Sequence, residues 1–156
     1  MTVRWSLVAY WIATVGIAAE TLAGGATDIV HGQAMLVTGG SVLGVVTSLG
    51  YPVYVLTILG IWKLLGAATL LAPRLPRLKE WAYAGIVFEL TGAAASLIVR
   101  GYGIGDVVVP LVLAAVALAS WALRPADRML GSHRNPSALW RSIPRTASRS
   151  SRRVPD

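Results

Sequence analysis

Three ionisable residues, Glu20, Lys63 and Glu89, sit inside long apolar runs, where an isolated charge is poorly tolerated. A lone Glu or Lys at the centre of a membrane helix costs roughly 2.5–3.5 kcal/mol, so such residues pair or face a cavity. Helical spacing shows the company each one keeps. Glu20 shares its face with Ala9, Ala13, Gly16, Ala23 and Gly24. Lys63 lies with Gly60, Gly66 and Ala67, and Glu89 with Ala82, Gly85, Gly92, Ala93 and Ser96. Membrane helices present small residues to one another because these let backbones approach. The bulky Leu64, Leu65, Ile86 and Leu90 fall mostly off these stripes, so the charges are expected to face protein.

Depth separates the three. Lys63 and Glu89 both lie within about two residues, roughly 3 Å of rise, of the midpoints of their apolar runs. A short turn joins the two runs, which makes them antiparallel neighbours, and a Lys63–Glu89 ion pair near mid-depth follows. Glu20 lies about six residues, roughly 9 Å, outward of its midpoint. There it can meet Asp28, His31 and Gln33 of the following segment. The cluster has two readings: an ion pair that locks a bundle, or a proton, quinone or other ligand site.

The elements that position these residues follow from hydropathy. A helix crossing the hydrocarbon core needs about 20 mostly apolar residues. Four stretches qualify: Trp5–Ala23, Tyr51–Ala72, Trp81–Val99 and Val107–Leu123. Trp5, Tyr51, Tyr54, Trp81, Tyr83, Tyr102 and Trp121 fall near their ends, the level amphipathic rings prefer. Arg4 before the first run resembles a secretory signal, but the run is too long and lacks a cleavage site, so it reads as an uncleaved helix. Apolar residues make up 55% of the chain and charged ones 13%, against about 25% charged in ordinary globular proteins. Mean hydropathy is +0.64. A soluble domain of this size has too much surface to hide such a composition. The expected fold is all-α, a polytopic four-helix bundle whose solvent is the lipid bilayer.

Basic residues set the expected orientation. Gly24–Gly50 has no Lys or Arg, whereas Pro73–Glu80 holds Arg74, Arg77 and Lys79. Past Leu123 come eight arginines, which account for most of the net charge of +7. By the positive-inside rule this turn, the N-terminus and the C-terminus are cytoplasmic in a cell (inner) membrane. A fifth crossing through Gln33–Leu49 would invert that pattern, so this glycine-containing stretch reads as an outer-face helix or a re-entrant segment. Residues 1–125 form the bundle, and 126–156 a basic tail too polar to bury a core. The tail either enforces topology or anchors at the interface through Leu139, Trp140 and Ile143.

Several chemistries are excluded. The absence of cysteine removes disulfides, thiolate metal sites and iron–sulfur clusters. The two histidines, His31 and His133, are too far apart for a bis-histidine haem, and no metal set is expected. The positive charge is a tail feature, so nucleic acid is not an expected partner. There is no Ser–His–Asp order, phosphate loop or HExxH, and Gly101–Gly105 reads as a flexible turn.

Two helices and their turn carry a resemblance. Leu49-Gly50-Tyr51-Pro52, Ile58-Leu59-Gly60, Lys63-Leu64-Leu65-Gly66-Ala67, Pro73-Arg74 and Leu78 to Gly85, with Phe88 to Ser96, resemble the DoxX-like family of small membrane proteins. The likeness runs from about Val8 to Pro125. Where members often carry a histidine after the serine matching Ser96, this chain has Leu97. The resemblance implies association with membrane oxidoreductase subunits, as in a thiosulfate:quinone oxidoreductase. It points to a non-catalytic or quinone-associated component of a membrane redox system. The alternatives are an assembly partner of an unrelated membrane complex and a small-solute carrier. Lys63, Glu89, Glu20, His31 and Asp28 are the candidate pairing and ligand residues.

Overall fold

The computed structural model describes residues 2–31 and 41–125; Gln33, His133 and the proposed tail anchors Leu139, Trp140 and Ile143 lie outside them. Five helices are present among the described residues: α1 (Thr2–Ile29), α2 (Val42–Ser48), α3 (Tyr54–Leu71), α4 (Pro76–Val99) and α5 (Ile104–Ala122). All but α2 are long and apolar enough to cross a membrane.

Helix α1 departs most from expectation. It continues six residues past Ala23, giving 28 residues or about 42 Å of rise. No proline interrupts Thr21–Ile29, and backbone groups in an apolar setting must be paired, which favours continuing the helix. The Thr21 and Thr27 hydroxyls donate back to Ile17 O and Ala23 O, at 2.7 and 2.9 Å, and so add no orphan polar groups. The chain leaves the helix at His31, whose φ is +51°. Asp28 therefore belongs to a helix, not to a connecting segment.

Helix α4 likewise starts earlier than expected, with Pro76 in its first turn, where a missing N–H leaves nothing unpaired. Lys79, counted above as a topological charge, is only 2% exposed. Its ammonium donates to Thr69 O at 3.0 Å and to Leu70 O, capping the open carbonyls of α3.

The four long helices form a ring in the order α1–α3–α4–α5, with α5 closing on α1. Chain direction makes every neighbour antiparallel. Helices α1 and α3 approach closely at Gly25 and Gly60. A Cβ on Gly60 would lie 2.7 Å from Gly25 O, and one on Gly25 would lie 2.8 Å from Lys63 Cβ. The expected small-residue stripes account for only part of this. Gly16, Gly66, Gly85 and Gly92 have nothing within 4 Å of a built Cβ, and the α4 stripe is largely exposed. Two other expectations change. Ile86 is in the core, packed with Ile17, Leu70, Tyr83 and Ala117, and Tyr83 is 3% exposed instead of sitting at an interface.

This core occupies the half of the ring nearest the α3–α4 turn. At the other end α2 and α4 terminate alike. Gly50 (φ +89°) follows α2 and Gly101 (φ +72°) follows α4, and each lets the next amide fold back. Tyr51 N donates to Val46 O and Tyr102 N to Leu97 O. The two tyrosines so placed reach across to each other's helix. Tyr102 Oη hydrogen-bonds Ser48 Oγ, Tyr51 Oη hydrogen-bonds Ser96 Oγ at 3.0 Å, and Arg100 Nε donates to Leu49 O. The start of Gly101–Gly105 is thus a structured helix stop and clasp.

Candidate functional site

The clasp holds α2 over a cavity of about 240 Å³ in the half of the bundle away from the core, and all five helices contribute to its lining. Three of the sequence candidates meet there. The expected Lys63–Glu89 pair is present, with Nζ 2.9 Å from Oε1. Asp28 joins it, Oδ2 lying 2.8 Å from the same Nζ and also accepting its hydrogen bond. One ammonium therefore bridges carboxylates of α1 and α4. The Asp28 side chain is 5% exposed, against 17% for Lys63 and 23% for Glu89.

Glu20 also lines the cavity and feels the charges of Lys63, Glu89 and Asp28. Among the described residues it makes no hydrogen bond and no ion pair within 4 Å. It makes no direct contact with Asp28, which lines the same cavity, or with His31. His31 lies off the cavity, its Nε2 3.3 Å from Thr57 Oγ1. The extension of α1 is the cause: it carries Asp28 inward along the helix and lets His31 turn off the end towards α3. Gln33 is outside the described residues.

The remaining lining is mostly apolar. Val42, Val45 and Val46 come from α2, Leu49 from its C-terminal cap, and Leu90, Ala93 and Leu97 from α4. From α5 come Val109, Pro110 and Leu113 and the exposed Asp106, with Tyr102 from the segment before it. Leu97, at the position where family members often have histidine, is thus part of the apolar wall. Among the described residues no three His, Asp or Glu side chains converge closely enough to hold a metal ion. In chemical terms the site offers carboxylate acceptors, one ammonium already shared between two of them, and apolar contact.

Sequence reasoning missed a second polar network at the opposite end. Ser120 Oγ lies 2.7 Å from both Thr14 Oγ1 and Tyr83 Oη, joining α1, α4 and α5 in the core. Below it, Arg124 Nη2 is 2.7 Å from Glu80 Oε1, and Trp121 Nε1 donates to Glu80 Oε2 at 2.7 Å. The guanidinium stands over the Tyr83 and Trp121 rings, 5.3 and 5.4 Å from their centroids. Part of the signal was in the helical phase, since Glu80 and Tyr83 share one face of α4; Arg124 lies past the end of α5, beyond the reach of that argument.

Antiparallel apolar helices around buried ion pairs define a multi-pass membrane protein. Residues 12–120, well over half of the chain, match the DoxX-like family, and the chain belongs to it. No curated protein and no solved structure matches it significantly.

Proposed function

We propose that this DoxX-like chain is a non-catalytic, ligand-holding component of a membrane redox system. The observation that carries the reading is the cavity: a hollow in a membrane bundle, apolar on most sides and charged at mid-helix. Ligand sites in bundles lie between the helices and combine apolar walls with a few polar groups. A benzene-sized molecule fills a cavity of about 150 Å³, so this one admits a ring headgroup or a body of similar size. The redox setting comes from the family resemblance alone.

The orientation proposed with it has both termini in the cytoplasm. In its support, Arg74, Arg77, Lys79 and Arg124 cluster at the core end of the ring, while the α2 end has only Arg100 among the described residues. The cavity then lies towards the outer face, beneath α2.

A second reading, an assembly partner, is favoured by one feature. The exposed face of α4, with Trp81, Gly85, Phe88 and Gly92, alternates large and small residues as helix–helix interfaces in membranes do. Extraction of the protein purified in native lipid separates the readings. A small molecule bound at near one per chain, and lost in Val46→Trp, is the expected result. A stoichiometric protein partner with no small molecule would replace the first reading by the second.

A further inference from the structure

We infer that the cavity selects a small amphiphilic cation: a protonated amine carried on an apolar body of on the order of ten non-hydrogen atoms. The inference rests on the reading of the cavity as a ligand site and adds the charge of its ligand.

Charge balance points that way. Leaving aside Asp106, which is exposed in the first turn of α5, the lining holds three carboxylates, Glu20, Asp28 and Glu89, against the single ammonium of Lys63. That ammonium is already divided between Asp28 and Glu89. Glu20 faces the same space with no hydrogen-bond or ion-pair partner among the described residues. Carboxylates held away from bulk water require compensation by a cation or by protons. Lys63 supplies only part of it.

Geometry narrows the cation. The carboxylates do not converge into a metal-binding set among the described residues, which disfavours a compact ion. An alkylammonium suits the spacing better, because it carries three donors and can be held by one carboxylate at a time. Its apolar body would pack on the valines of α2 and on Leu113. A ligand that presents only acceptors would set its lone pairs against those of Glu20.

Three probes of one shape and different charge test this: 3-phenylpropylammonium, 3-phenylpropanol and 3-phenylpropanoate. Binding to the full-length protein in phosphatidylcholine nanodiscs is measured by equilibrium dialysis, with empty nanodiscs subtracting partition into lipid. The ammonium should bind at least about tenfold more tightly than the alcohol, the scale of one charge-assisted hydrogen bond, and the carboxylate most weakly. Glu20→Gln should reduce the ammonium-to-alcohol ratio several-fold. Val46→Trp, or Val45→Trp if the first unfolds at lower temperature, should abolish saturable binding of both.

Alcohol binding as tight as ammonium binding, and blocked by the tryptophan variant, would overturn the cation inference and leave the ligand site standing. It would mean that protons already neutralise the carboxylates. Absence of saturable binding by all three probes would overturn both.

Discussion

The two ends of the bundle solve the same problem, polar side chains among apolar helices, in opposite ways. At the core end, Glu80 and Arg124 are one acid and one base, Trp121 satisfies the second carboxylate oxygen, and Thr14, Ser120 and Tyr83 share hydroxyl bonds around well-packed side chains, with only Arg124 Nη1 left without a hydrogen bond among the described residues. At the α2 end, acids outnumber bases, one carboxylate has no partner among the described residues, and space remains beside it. A balanced network in a filled interior stabilises and positions. An unbalanced one beside a cavity is less stable alone and leaves interactions for a ligand to complete.

The contrast yields predictions of decreasing size. Lys63→Leu should be the most damaging, because it leaves Asp28 and Glu89 close together without their cation. Breaking a buried pair by removing one partner costs about 3–5 kcal/mol, so membrane accumulation should fall sharply. Adding Glu89→Leu alone should restore it in part, and adding Asp28→Asn as well should restore more. A silent Lys63→Leu would remove the case for a bridging role.

Gly60→Ala comes next. The new methyl would meet Gly25 O and Ile29, an overpacking of about 1–3 kcal/mol read as a lowered unfolding temperature. Gly66→Ala, with open space at its Cβ, should be close to neutral. Equal effects would show that the α1–α3 contact is placed elsewhere. Ser120→Ala should destabilise by about 1–3 kcal/mol, since it removes the buried bonds to Tyr83 and Thr14 at once, although Thr14 still donates to Tyr10 O.

Tyr102→Phe removes only the clasp bond to Ser48 and should cost about 1 kcal/mol or less. Its clearer sign should be faster labelling of a cysteine introduced at Ala93, inside the cavity. Glu20→Gln should have the smallest effect on folding, within about 0.5 kcal/mol, because no contact is lost. A strongly destabilised Glu20→Gln would mean that the two ends of the bundle do not differ as described.

Much of the bundle was legible in the residues. Uninterrupted apolar length disclosed four crossings, and the short turn at Pro73–Glu80 made α3 and α4 neighbours, so the meeting of Lys63 with Glu89 followed from register alone. What escaped were contacts set by helix ends and by phase between non-consecutive helices. Asp28 looked like a residue of the connecting segment because the apolar run was ended at Ala23, yet the helix continues and packs Gly25 tightly against Gly60. Tyr83 looked like an interfacial ring because it lies near the start of its apolar run, though it points the opposite way round the helix from the exposed Trp81. His31 lay near the acids in sequence, but a left-handed turn carries it to Thr57.

By itself, then, the sequence determined that this chain is a membrane bundle and which charges lie at mid-helix, because hydropathy and helical rise are local properties. Only the tertiary structure decided that one lysine serves two acids, that Glu20 is left beside a cavity, and that α2 is clasped above it. Those facts depend on how four cylinders rotate against one another. That rotation is fixed by contacts between residues far apart in the chain, such as Gly25 with Gly60 and Tyr102 with Ser48.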